Sequence, residues 1–279
     1  HLHWTNHLKT LRTKCYTSLN VLKMINNKNY SPPTRTMLSI YRTTVRTKID
    51  YGSIIYRSTS QTRLQILDPV HHTGVRLCLG AFSTSPTASI LALAGEPPLT
   101  IRRQILNLTY CSTLLQKPTH PNIELDGLPT ESVLSRYLAD LATFNLNRDS
   151  LIQLPRQKLR STIRQAAFDV WNQAWQTQPL SNKLRAIKDN TDPWPTTSHK
   201  DRLFERGLAR LRIGHTALTH AYLLSGSDPP HCDTCDEALT VPHILIACTK
   251  YETLRKRLRL PGNSDEILDD NKESIALLH

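Results

Sequence analysis

The stretch Leu8-Lys9-Thr10-Leu11-Arg12-Thr13-Lys14-Cys15-Tyr16-Thr17-Ser18-Leu19-Asn20-Val21-Leu22-Lys23-Met24-Ile25 sets apolar residues at 8, 11, 15, 19 and 22, with basic residues between them. Steps of three and four are the period of an amphipathic helix. Ser31-Pro32-Pro33 breaks the pattern, and it resumes from 34 to about 56 through Met37, Leu38, Tyr41, Val45 and Ile49. Gly52 weakens the end of that segment. A third helix is expected over about 61–79, kinked at Pro69 and stopped by Gly80. Glu96-Pro97-Pro98 leads into a fourth over about 101–115, which Pro118 and Pro121 close. Strand-like alternation is scarce. The expected class is mainly α, beginning with a basic helical bundle over residues 1–118.

Beyond it, residues 118–130 have a linker composition of prolines, Asn122, Asp126 and Gly127. Apolar helical patterns follow at about 131–146 and 156–176. In the second, Trp171 and Trp175 are four apart and share a face, as core aromatics or as a base-stacking platform. Asp192-Pro193-Trp194-Pro195 then breaks the chain before a helix expected over about 199–224, with Leu203, Leu208, Leu211 and Leu218.

At 279 residues the chain can bury a core without disulfides, and 39% hydrophobic with 21% charged residues argues against wholesale disorder. The net charge of +12 is unevenly placed. Residues 1–110 carry fourteen Lys or Arg against three acids, so they hold almost all of it. Such a segment suits a polyanionic partner, RNA or DNA above all, or is a basic surface with no partner. No run of 18 apolar residues and no secretory signal occurs, so no membrane partner is expected. His1 as the first residue suggests a start further upstream and hence a fragment. Of the six cysteines, Cys15, Cys78 and Cys111 stand singly among apolar residues, whereas Cys232, Cys235 and Cys248 cluster with His243. Metal ligands plus core thiols in a reducing compartment, cytoplasm or nucleus, fit this usage better than disulfides.

Cys232-x2-Cys235-x7-His243-x4-Cys248 is the most specific local signal. Zinc takes four N/S ligands in a tetrahedron, and a Cys-x2-Cys turn offers two thiolates to one ion. Four protein ligands leave no open position for water, so the expected cofactor is structural zinc. His215 and His220, five apart, would lie about 140° around one helix and so would not face one metal together. Ile267-Leu268-Asp269-Asp270 brings a polymerase carboxylate pair to mind, but its acidic polar setting reads as a solvated charge run.

Longer stretches carry a resemblance. Lys48-Ile49-Asp50-Tyr51-Gly52-Ser53, then Leu67-Asp68-Pro69-Val70-His71-His72-Thr73-Gly74-Val75-Arg76-Leu77-Cys78-Leu79-Gly80-Ala81-Phe82-Ser83-Thr84-Ser85-Pro86, then Glu96-Pro97-Pro98-Leu99 with Arg102-Arg103 form the first. Together they resemble the region after the polymerase fingers and palm of jockey-like non-LTR retrotransposon reverse transcriptases, over about residues 1–120. The resemblance implies a helical thumb-like and connecting region that helps hold the template–primer. Arg42, Arg46, Lys48, Arg63, Arg76, Arg102 and Arg103 are its candidate nucleic-acid contacts.

The second half is similar to the tail after the RNase H domain of the same polyproteins. The similarity runs through Trp171-x3-Trp175, Asn182-Lys183-Leu184, Arg210-Leu211-Arg212-Ile213-Gly214-His215-Thr216-x2-Thr219-His220 and the Cys/His cluster. The implied organisation is a thumb/connection-like region (1–118), a linker at the probable site of a deleted RNase H domain (119–153), a helical post-RNase H region (154–228), a CCHC zinc module (229–260) and an acidic polar tail (261–279). The polymerase aspartates and the RNase H carboxylates have no place in this chain. The expected function is that of a non-catalytic C-terminal fragment of an RNA-directed DNA polymerase, binding nucleic acid and one structural zinc. The alternative is a domesticated host protein whose zinc module mediates protein contacts.

Overall fold

The computed structural model describes residues 4–27, 31–117, 133–195 and 201–270. The proline-rich stretch from 118 and the end of the tail therefore lie outside the described residues. Chain order runs α1 (Thr5–Ile25), α2 (Thr34–Tyr41), α3 (Thr47–Asp50), α4 (Ser53–Tyr56), α5 (Gln61–Leu64) and α6 (Asp68–Leu79). It continues through α7 (Thr87–Ala94), α8 (Leu99–Leu115), α9 (Val133–Thr143), α10 (Arg148–Ile152), α11 (Arg156–Gln176) and α12 (Lys183–Ile187). Last come α13 (Arg202–Ile213), α14 (Ala217–His220), α15 (Tyr222–Ser225), α16 (Glu252–Leu258) and α17 (Ser264–Leu268). No strand occurs among the described residues, and the protein is mainly α.

Periodicity names the buried face well. Leu8, Leu11, Cys15, Leu19 and Leu22 of α1 are all buried, as are Met37, Leu38, Tyr41, Val45 and Ile49. The second expected helix is divided, however. A π-helical turn at Arg42–Arg46 widens it between α2 and α3, and Gly52 at φ +69 ends it. The third expected helix runs unbroken from Gln61 to Leu79 as α5, a 3-10 turn at Gln65–Leu67 and α6, so the local distortion stands just before Pro69, whose ring and missing N–H disfavour a regular α-turn there. α7 has no counterpart among the expected helices. Nearly all its residues are buried, so it shows no polar face and no period to read.

The residues form two compact units, each drawn from three stretches of chain. They are interleaved along the chain and do not map one to one onto the segments drawn from the sequence. One comprises 1–18, 42–71 and 97–174. Its core joins α8, α9, α10 and α11 through Leu108, Tyr137, Leu141, Leu151, Leu159 and Ile163. Burying a side chain of this kind stabilises by about 1.5–3 kcal/mol. A polar lock lies beside it: Arg57 forks onto the buried Asp140 carboxylate, and Asn107 donates to the same group at 2.9 Å. Arg102 forks onto Asp50 in the same manner, with its shortest contact 2.8 Å.

The other unit comprises 19–41, 72–96 and 175–279. Leu208 of α13 packs with Val241, Leu245, Ile267 and Leu268. The last two therefore belong to a core, and the tail is not wholly solvated. Arg212 holds it by donating to the carbonyls of Leu268 at 2.9 Å and Asp269 at 2.5 Å. Trp175 is buried and donates through Nε1 to the Lys188 carbonyl at 2.8 Å. Trp171, in the first unit, is also buried and meets Phe168 edge-on. Neither tryptophan presents an open face of the kind a base-stacking platform needs.

Candidate metal centre

The first ligand pair sits in a tight turn. Asp236 N–H donates to the Cys232 carbonyl (2.9 Å) and Cys232 N–H to that of Glu237 (2.8 Å), while His231 and Ala238 form an antiparallel bridge. Asp236 takes φ +56, a left-handed conformation that Asp tolerates better than most residues. Closing the chain in this way turns the Thr234 and Cys235 N–H groups toward the Cys232 sulfur.

The second pair arrives by a different device. In a regular helix, positions five apart such as 243 and 248 would diverge by about 140°. Here His243–Ala247 is a π-helical turn, and Cys248 N–H reaches back to the His243 carbonyl at 2.7 Å. Its wider turn and the extended Cys248 (ψ 121) bring both side chains to one place. Arg255 donates to the Ile244 carbonyl at 3.3 Å and props the turn. Val241 and Leu245, two residues either side of His243, anchor it to the core below.

The donor atoms of Cys232, Cys235, His243 and Cys248 all lie within 4.8 Å of one another, so the cluster could hold a metal ion. Its dimensions suit a small tetrahedral site: the Cys232 and Cys248 sulfurs are 3.6 Å apart. Two thiolates bound at 2.3 Å to one tetrahedral ion would be roughly 3.8 Å apart. His243 Nδ1 donates to Glu237 Oε2 at 3.0 Å, which leaves Nε2 with its lone pair. Nε2 is buried without a hydrogen-bond partner. A metal-ligating histidine held by a carboxylate on its other nitrogen has this form.

Electrostatics point the same way. The Thr234 N–H, the closely apposed His243 ring and the Cys235 N–H lower the Cys232 thiol to about 6, so a thiolate forms near neutral pH. Burial, and the bond shared with Cys232, raise Cys248. One thiolate and one thiol is what four crowded donors adopt before a cation neutralises them.

His215 and His220 are placed otherwise than expected. Gly214 at φ +80 ends α13, with the Lys183 side-chain stem packed against its Cα, and Thr216 then caps α14 in a capping box. With the helix broken, the two rings stack at 3.8 Å, inclined by 16°. Burial first, then the neighbouring His220, lowers His215 to about 4. Burial and then Lys183 lower His220 as well. An unfolded histidine titrates near 6.5. The pair's contribution is therefore whole above about pH 6.5 and is lost as pH falls toward 4. We expect His215→Phe to remove this dependence, worth about 1 kcal/mol after screening of the half-exposed ring. Urea midpoints of both proteins at pH 7 and pH 4.5 measure it; parallel losses would contradict the assignment.

The seven candidate nucleic-acid contacts divide. Arg103 is buried beside Asp68 (3.9 Å), so its charge is not at the surface. Arg102 is committed to Asp50, and Arg76 to the Ser85 carbonyl (2.8 Å) and Thr87. Arg46 lies 3.9 Å from Asp50, and Arg42 is half-buried. Lys48 and Arg63 are exposed, Lys48 donating to Ser18 Oγ at 2.5 Å. Counting charges could not separate these cases, because Asp50 meets Arg102 and Asp68 meets Arg103 across tens of residues, and Arg76 is held by neutral acceptors.

No protein-family model, no curated protein and no solved structure matches the chain. No helix of the described residues is long and apolar enough to cross a membrane.

Proposed function

We propose that Cys232, Cys235, His243 and Cys248 hold one zinc ion in a structural role, in a non-catalytic C-terminal part of a non-LTR retrotransposon reverse transcriptase that binds nucleic acid. The observation that carries the metal reading is the convergence of four donors, with His243 Nε2 buried and unanswered. Three sulfurs and one imidazole favour zinc over hard cations, which take oxygen ligands. All four positions being protein side chains, the ion's work is to tie the 232–237 turn to the π-helical turn.

The polymerase reading rests on the residues quoted for the resemblance and on the basic N-terminal segment. Lys48 and Arg63 are the contacts best placed to meet a phosphate backbone. Fluorescence anisotropy with a short single-stranded RNA, across a salt series, tests it. Affinity is expected to fall steeply as salt rises, by about 0.7 log units per log unit of salt for each phosphate contact. Lys48→Gln with Arg63→Gln is expected to flatten that slope by about 1.4 units. Absent or salt-independent binding would contradict the reading and favour a protein-contact module.

A further inference from the structure

The residues outside 1–110 are nearly neutral overall, yet α11 concentrates charge on one face. Arg156, Arg160 and Arg164 recur every fourth residue, rising about 6 Å per step along the axis. All three are exposed, and none forms an ion pair with an acid among the described residues. They line one groove with Gln157, Ser161 and Gln165. The groove runs beside the face that fixes the helix, since Leu159 and Ile163 each precede a stripe arginine and are fully buried. Three unpaired guanidiniums along a rigid buried-backed helix are costly to crowd together without an anion. By contrast, Arg57, Arg102 and Arg202 all have carboxylate partners.

We propose that this groove is a docking surface for the phosphodiester backbone of a single nucleic-acid strand, a site that deepens, and rests on, the nucleic-acid reading above. Charge complementarity argues for it: guanidinium forks match phosphate oxygens, and the intervening Gln and Ser side chains offer neutral donors and acceptors to sugar and base edges. No apolar side chain lines it to receive the apolar face of an amphipathic peptide.

The test compares the intact chain with an Arg156→Gln, Arg160→Gln, Arg164→Gln variant, and with Lys158→Gln, which lies about 160° around the helix from Arg160. Binding of a short single-stranded RNA is followed by anisotropy across a salt series. The triple variant is expected to lose at least tenfold in affinity and about two units of salt slope, with Lys158→Gln close to the intact chain. Because all four side chains are exposed, circular dichroism should show unchanged folding. RNA binding that survives the triple variant with its slope unaltered, yet weakens in the Lys48/Arg63 variant, overturns the groove and leaves the nucleic-acid reading standing. No RNA binding by the intact chain overturns both. Equal displacement of RNA by poly-glutamate at matched charge would reassign the groove to an acidic protein and overturn the proposal.

Discussion

Replacing Glu205 with alanine is expected to lower the unfolding free energy by about 3–5 kcal/mol, among the largest effects of any single substitution outside the metal centre. Glu205 is buried on α13, and one of its oxygens, Oε2, accepts from Thr34 N–H at 2.8 Å, Thr34 Oγ1 at 2.9 Å and Arg202 at 3.0 Å. Arg202 is itself buried and donates to the Cys78 carbonyl at 2.6 Å. Removing the carboxylate leaves a guanidinium in the interior without its counter-charge and strips the first turn of α2 of an acceptor. Burial already pushes Arg202 below the usual arginine range, and Glu205 opposes that push. Glu205→Gln keeps the shape and one acceptor and should lose less. Urea unfolding at pH 7 decides it: a loss below about 1 kcal/mol in Glu205→Ala would mean that the network is not buried as described.

The second large effect concerns the metal. Chelation, or Cys248→Ala, is expected to open residues 230–258 while the core around Leu108, Leu141 and Ile163 stays protected. Cys248 is fully buried, and the segment's own apolar contribution to the core is chiefly Val241 and Leu245. Two such side chains are a small core for a segment of this length, so on the proposed zinc reading the ligand bonds contribute much of what holds it folded. Hydrogen exchange read by mass spectrometry should show protection lost across 230–258 alone. Unchanged protection there after chelation would contradict a structural role for the ion.

How much of this was legible beforehand depends on whether the information was local. Helix periods are local, and they located α1, α8 and α11 within a few residues because each buries one face and wets the other. Cys-x2-Cys is local too, and its turn closes as the spacing requires. The longer His243-x4-Cys248 gap is less direct, since those ligands meet only through a π-helical turn. The same five-residue spacing at His215 and His220 was misleading because Gly214 breaks the helix between α13 and α14. Pairing of charges was the least legible. Arg102 with Asp50, Arg57 with Asp140 and Arg103 with Asp68 join residues tens of positions apart. Net charge over 1–110 therefore overstated the charge available at the surface, and a balanced total beyond 110 concealed the α11 stripe.

Zinc content per chain, measured on protein purified under reducing conditions and compared with Cys235→Ser, tests the central claim most directly. Cys235 is the least buried of the four ligands, so the substitution acts through loss of the metal and not through lost packing of its own side chain. One equivalent of zinc is expected in the intact chain, falling toward zero in the variant. An intact chain that binds no zinc, or a variant that retains its full equivalent, would contradict it.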